Sequence, residues 1–171
     1  MSLKLARSTF TTGLKCFCLL HEIHRNVYEF TETAGESMIP TLSPQNDYVH
    51  VYKNLPHILK NLKIGDCVVL MKPNDSDSRV CKRITGMPDD IILVDPSNEN
   101  NPNATNEYIR VPKGHVWVTG DNLSMSLDSR SYNVVSMGLI VGKVIAANNL
   151  NDKKRWLGFR FIENNYLKEE N

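Results

Sequence analysis

Tyr48-Val49-His50-Val51-Tyr52 alternates valine with aromatic and imidazole side chains. That is the period-2 pattern of a strand with one face in a core. Working outward, similar runs recur at short intervals. Cys67-Val68-Val69-Leu70 follows a Lys63-Ile64-Gly65-Asp66 turn, and Val80 to Thr85 comes next. Ile91-Ile92-Leu93-Val94, Tyr108-Ile109-Arg110-Val111, His115-Val116-Trp117-Val118-Thr119 and Leu139 to Ile145 complete the series. Gly, Pro, Asn and Asp punctuate the gaps, which predicts a mainly β fold built as an antiparallel domain. No long segment after residue 30 has helical periodicity, so a parallel βαβ architecture is disfavoured. The polar stretch from Asp95 to Glu107 reads as an exposed loop, and the tail containing Trp156, Phe159, Phe161, Ile162 and Tyr166 as a final strand or short helix packed on the domain.

Residues 1–30 differ in character. Lys4, Arg7 and Lys15 are the only charges before Glu22, with Ser, Thr and small residues between them. A basic, acid-poor start of this kind suits a targeting or membrane-attachment segment. The apolar run Cys16-Phe17-Cys18-Leu19-Leu20 is short beside the roughly 20 residues a span requires, which leaves an amphipathic surface helix as the alternative. The division expected is therefore a 1–30 anchor segment and a 31–171 domain.

The 171 residues carry a net charge of about +1, with 41% hydrophobic and 23% charged residues. The basic residues are dispersed, Lys153-Lys154-Arg155 being their longest run, so no field favours nucleic acid. The four cysteines, Cys16, Cys18, Cys67 and Cys81, form no C-x-x-C pair, and no metal site is expected. Cys67 and Cys81 read as core residues, with a disulfide between them left open.

Three stretches carry chemistry. Gly35-Glu36-Ser37-Met38-Ile39-Pro40-Thr41-Leu42 offers a hydroxyl, Arg79-Val80-Cys81-Lys82-Arg83-Ile84-Thr85-Gly86 an amine within an apolar strand, and Gly120 to Arg130 a polar turn with Ser126, Asp128 and Arg130. A serine hydroxyl needs a base to take its proton. None of the five histidines sits in a recognisable triad motif. Lysine can replace histidine if its pKa falls from about 10.4 toward neutrality; three units cost about 4 kcal/mol, and apolar burial can supply that. Alternation along the strand sends Arg83 to the face opposite Lys82. If residues 126–130 are extended, Ser126, Asp128 and Arg130 share a face, so an Asp128–Arg130 ion pair would leave Ser126 free to bond an amine.

Taken together, the nucleophile stretch, Gly65-Asp66-Cys67-Val68-Val69, Lys82 to Asp90 and Gly120-Asp121-Asn122 with Ser126, Asp128, Ser129 and Arg130 resemble type I signal peptidases, serine proteases with a Ser/Lys dyad. The likeness runs from about residue 31 to about 149 and is strongest to the eukaryotic mitochondrial inner membrane branch. It implies a signal-peptidase-like β domain, an N-terminal membrane-anchoring helix and no cofactor. It implies Ser37 as nucleophile, Lys82 as general base, Ser126 as orienter of the lysine, Asp128 and Arg130 as support, and the Ser37 backbone N–H as oxyanion donor. It also implies an inner-membrane location facing the intermembrane space, precursors with cleavable sorting signals as substrates, and a homologous second catalytic subunit. Two departures stand out: Gly35 occupies a position where bacterial relatives often carry an oxyanion-binding serine, and Asp89 a position usually held by glycine. The rival readings are a catalytically silent β-domain subunit and a self-cleaving Ser/Lys repressor-like protein.

Overall fold

The computed structural model describes residues 3–94, 107–152 and 158–164. The expectations for most of the 95–107 loop, for Lys153 to Arg155, and for Trp156 and Tyr166 lie outside these residues. A helix, α1 (Leu3–Asn26), leads into a curved antiparallel sheet. The strands are β1 (Tyr28–Thr33), β2 (Asp47–Tyr52), β3 (Cys67–Lys72), β4 (Asp75–Gly86), β5 (Ile91–Leu93), β6 (Tyr108–Arg110), β7 (His115–Thr119), β8 (Val135–Ser136), β9 (Ile140–Asn149) and β10 (Phe159–Phe161). The main sheet runs β1-β2-β9-β3-β4-β7-β8, with β10 also paired to β9 and β5 paired to β6 in a separate hairpin. The expected strands are present, and the tail's Phe159–Phe161 is a strand on the domain.

Alternation along these strands builds two cores on opposite faces. Val49 and Val51 of β2, Cys67 and Val69 of β3, and Val144 and Ala147 of β9 pack on one face with Met38 and Leu42 from the β1–β2 loop. Val68, Leu70, Ile84, Val116, Val118 and Ile140 pack on the other. There they are joined by Ile58 of α2 (Leu55–Asn61). Asn54 caps that helix by accepting from the His57 amide, and a proline in the first turn needs no hydrogen-bond donor there. Each fully buried valine stabilises by about 1.5–3 kcal/mol, an upper estimate. All four cysteines are free thiols, with Cys67 buried and Cys81 half-buried in the first core.

The sheet begins at Tyr28, so the end of the expected 1–30 segment pairs with β2. Leu3–Asn26 is one helix, with its last turn against β1 and Phe10, Phe17 and Leu20 more than 60% exposed. Arg7, Lys15, Glu22 and Arg25 interrupt its apolar residues. Among the described residues no helix is long and apolar enough to cross a membrane.

Candidate active site

The β1–β2 loop holds Ser37 at the rim of the first core. Met38 and Leu42, each 3% exposed, anchor the loop inward, and the Leu42 amide donates to the Met38 carbonyl at 2.8 Å. Gly35 turns the chain with φ +111°, a value glycine adopts without steric cost, and its amide donates to the Pro44 carbonyl at 3.0 Å. From the opposite side, the Asn122 amide donates to the Ser37 carbonyl at 3.0 Å, and Asn122 Nδ2 to the Glu36 carbonyl at 3.2 Å. The Ser37 amide has no acceptor among the described residues.

Lys82 lies in β4, paired with Val68 of β3, and is 3% exposed. Its Nζ is 2.8 Å from Ser37 Oγ. Burial pushes the Lys82 pKa below the ordinary lysine value, outweighing the opposing influence of Cys81 and Asp128. Asp128 is committed elsewhere: its carboxylate accepts from Arg130 Nε at 2.9 Å, Arg130 Nη2 at 3.0 Å and the Gly120 amide at 3.0 Å. Burial alone would raise the Asp128 pKa, but hydrogen bonds led by Arg130 outweigh it and hold the carboxyl below its ordinary value.

The expected extended run through residues 126–130 is not what forms. Leu123–Met125 makes a 3-10 turn, and Asp128 caps the four-residue helix α3 (Ser129–Tyr132) through the Arg130 amide. Capping fixes Asp128 more tightly than a strand face would, because its oxygens satisfy backbone donors as well as the guanidinium. The Asp128–Arg130 ion pair forms within this turn. Ser126 Oγ is buried and, among the described residues, makes no hydrogen bond of normal geometry to Lys82 or any other group, although it lies near enough to Asp128 to help lower that pKa. A Cβ on Gly120 would sit 2.3 Å from Ser126 Oγ and 2.4 Å from the Ser37 carbonyl oxygen. Glycine is what lets these two segments meet.

Sequence reading missed the arginine beside the lysine. Arg83 Nε and Nη2 each donate to Asp121 at 2.7 Å, Nη1 to the Gly65 carbonyl at 2.7 Å, and Nη2 to Thr41 Oγ1 at 3.1 Å. Thr41 Oγ1 in turn donates to Asp121. One guanidinium thus ties the loop after the serine, the β3 approach and the turn after β7. The adjacent Lys-Arg and the Gly-Asp-Asn turn were the available signals. At the other departure, Asp89 has φ +74° in a turn whose Met87 amide donates to Asp90 at 2.8 Å. Aspartate is one of the few non-glycine residues to visit that region. His50 is held between Tyr28 and Asn148 under an aromatic cluster with Phe30 and Phe159, away from Ser37.

A cleft of about 200 Å³ opens beside Ser37 and Lys82, walled by residues 31–35, by Met38, Leu42 and Val69, and by residues 79–82. A larger cavity of about 470 Å³ contains Arg83, Thr85, Trp117 and Asp121 but neither Ser37 nor Lys82. Only the smaller one opens onto the hydroxyl–amine pair. An apolar-walled cleft beside a hydroxyl and a buried amine is equipped for acyl transfer to an extended chain.

The family described as "Signal peptidase, peptidase S26" matches residues 7–99 and 95–147. Mitochondrial inner membrane protease subunit 1 of Saccharomyces cerevisiae is 53% identical over 174 residues, covering 93% of this chain and 90% of that protein. The subunit 1 of Schizosaccharomyces pombe is 46% identical over 74% of this chain and 77% of its own length. Mitochondrial inner membrane protease subunit 2 of Saccharomyces cerevisiae is 33% identical over 74% and 72%. With the family matched across most of its length and more than half of its residues shared with one member, this chain belongs to the S26 signal peptidase family.

Proposed function

We propose that this protein is a serine endopeptidase that removes sorting peptides from precursors, with Ser37 as nucleophile and Lys82 as general base. The observation that carries this reading is the 2.8 Å separation of Lys82 Nζ and Ser37 Oγ in a site where burial lowers the lysine pKa. In the neutral amine form, Lys82 accepts the Ser37 proton as Oγ attacks the scissile carbonyl. The tetrahedral oxyanion is met by the Ser37 N–H, and no side chain of Gly35 assists. Collapse breaks the C–N bond, Lys82 returns the proton to the departing amine, and the precursor's N-terminal part remains as an ester on Ser37. Lys82 then takes a proton from water, hydroxide attacks the ester, and the carboxylate leaves as Ser37 regains its proton. Ser126 acts as a positioning residue whose unengaged hydroxyl receives the ammonium once Ser37 is deprotonated. Asp128 and Arg130 hold that turn, and the route requires no metal or organic cofactor.

The relatives' names support a mitochondrial inner membrane location and a homologous second subunit as partner. In this reading the domain faces the intermembrane space. The helix α1 would serve as the attachment segment, with Phe10, Leu14 and Phe17 spaced one and two turns apart and exposed to meet lipid. The chain from Tyr28 onward would form the catalytic domain. No observation favours the silent-subunit or repressor-like readings. The test compares processing of a membrane-sorted precursor by wild type, Ser37→Ala and Lys82→Ala in purified membranes. Loss of about 10³-fold or more is expected for each, and normal processing by either variant sinks the assignment.

A further inference from the structure

The dyad chemistry leaves unused a charge cluster at the far end of the cleft. β1 and β4 terminate the five-strand run β1-β2-β9-β3-β4, and since each adjacent pair is antiparallel they run in the same direction. They also face each other with free edges, because among the described residues β1 pairs only with β2 and the Arg79–Lys82 stretch only with β3. Across this gap Glu29 of β1 meets Arg79 of β4 at 2.9 Å. Lys53 holds the other Glu29 oxygen, also at 2.9 Å.

Two cations thus share one carboxylate, and they are not equally held. The Lys53 and Glu29 side chains are 15% and 14% exposed, whereas that of Arg79 is 47% exposed. Burial works against the Glu29 carboxylate, yet contact with Lys53, ahead of Arg79, keeps its pKa below the ordinary value. Arg79 can therefore leave Glu29 without stranding a buried charge. Glu32 also borders the cleft. Alternation nonetheless places its side chain with Phe30 on the aromatic outer face, while Glu29, Thr31 and Thr33 face inward. The surplus charge upstream of the dyad is then positive and sits on Arg79.

Position follows from strand geometry. Arg79 precedes Lys82 by three residues, roughly 10 Å at about 3.3 Å per residue. A precursor strand between β1 and β4, running in their shared direction with its scissile carbonyl at Ser37, would have its third upstream residue near Arg79. Side chains alternate, so the first, third and fifth residues before the cut point into the cleft together.

We propose that Arg79 is a specificity residue that swings from Glu29 to a carboxylate side chain carried by the precursor at the third or fifth residue before the cut. This rests on the Ser37–Lys82 reading. The test uses the full chain in solubilised membranes and quenched-fluorescence peptides carrying Asp, Gln or Lys at those two positions. Wild type is expected to favour Asp over Lys by roughly 3- to 10-fold in kcat/KM, mostly through KM, as for a partly exposed ion pair. Arg79→Gln should bring the peptides within about twofold of one another, and Arg79→Glu should reverse the order. Glu29→Gln, which frees Arg79, should keep or widen the Asp preference. A merely structural ion pair would instead make Glu29→Gln and Arg79→Gln behave alike, and that result, or an order unmoved by Arg79→Glu, overturns the proposal. Ser37→Ala separates the two levels. A charge-blind activity that Ser37→Ala abolishes refutes Arg79 alone, whereas activity surviving Ser37→Ala refutes the dyad reading and this one with it.

Discussion

Lys82 and Arg83 are adjacent on one strand and nearly equally buried, at 3% and 4% exposure, yet they are treated in opposite ways. Arg83 receives both oxygens of Asp121, a backbone carbonyl and a hydroxyl. Lys82 receives one serine hydroxyl. The carboxylate with the largest influence on it, Asp128, is spent on Arg130 and the Gly120 amide. Burial alone does not make a base. What lowers the lysine pKa is burial with the counterions assigned elsewhere, and the neighbouring arginine shows what the same strand does when a cation is meant to stay charged.

The sharpest way to break this contrast is to make the lysine resemble its neighbour. Lys82→Arg keeps the positive charge but supplies a group that does not deprotonate. It should lose roughly 10³-fold in kcat/KM, about as much as alanine, because the missing function is proton transfer and not charge. A variant retaining more than about a tenth of wild-type activity would show that Lys82 works as a cation. The counterpart experiment acts on Arg83. Asp121→Ala leaves a buried guanidinium without its carboxylate, and breaking such a pair costs about 3–5 kcal/mol. Denaturant midpoints measure this, and a loss under about 1 kcal/mol would mean that water or another acceptor takes over. Ser126→Ala sits below both. Its hydroxyl makes no hydrogen bond of normal geometry and loses only its influence on Asp128, so stability should fall by less than about 1 kcal/mol while kcat falls by about tenfold and the kinetic pKa of Lys82 drops further, since a hydroxyl acceptor stabilises the ammonium. Activity and pH profile both unchanged would remove Ser126 from the mechanism.

How far such contrasts can be read from sequence depends on the range of the interaction. The Tyr48–Tyr52, Cys67–Leu70 and His115–Thr119 strands were legible because each buries a face made of its own β-branched and aromatic residues. The Ser37 and Lys82 stretches were legible as motifs, whereas the apolar neighbours of Lys82 fit a surface strand lysine as well as a buried one, and its burial is shown by the fold. Tyr28–Thr33 was harder. Its apolar residues Tyr28 and Phe30 face outward and its cleft face is Glu29, Thr31 and Thr33, so the usual apolar-inside reading does not apply to a strand that walls a site. The Arg83–Asp121 pair spans 38 residues, so the Lys-Arg dipeptide and the Gly-Asp-Asn turn mark its two ends without showing that they meet. Residues 126–130 misled because Asp128 satisfies a helix cap, a choice made by backbone donors and invisible in side-chain spacing.

The smallest expected effect separates function from stability. Because the folded-state pKa of Lys82 is lowered, the unfolded chain binds more protons at this residue between the folded value and the unfolded value of about 10.4. Stability therefore rises with pH across that window, and below it the lysine imposes a constant penalty on the folded state. Lys82→Met keeps the length and apolar stem while removing the titrating head. It should be more stable than wild type by about 1 kcal/mol at neutral pH, and the difference should shrink as pH climbs toward 10. Arg83→Met should behave in the opposite sense, losing stability at every pH because its guanidinium is stabilised and Asp121 would be left behind. Urea midpoints for the two variants across pH 6 to 10 test both signs in one series. If Lys82→Met proves less stable than wild type at neutral pH, the lysine is structurally integrated like its neighbour, and the contrast between the two residues collapses.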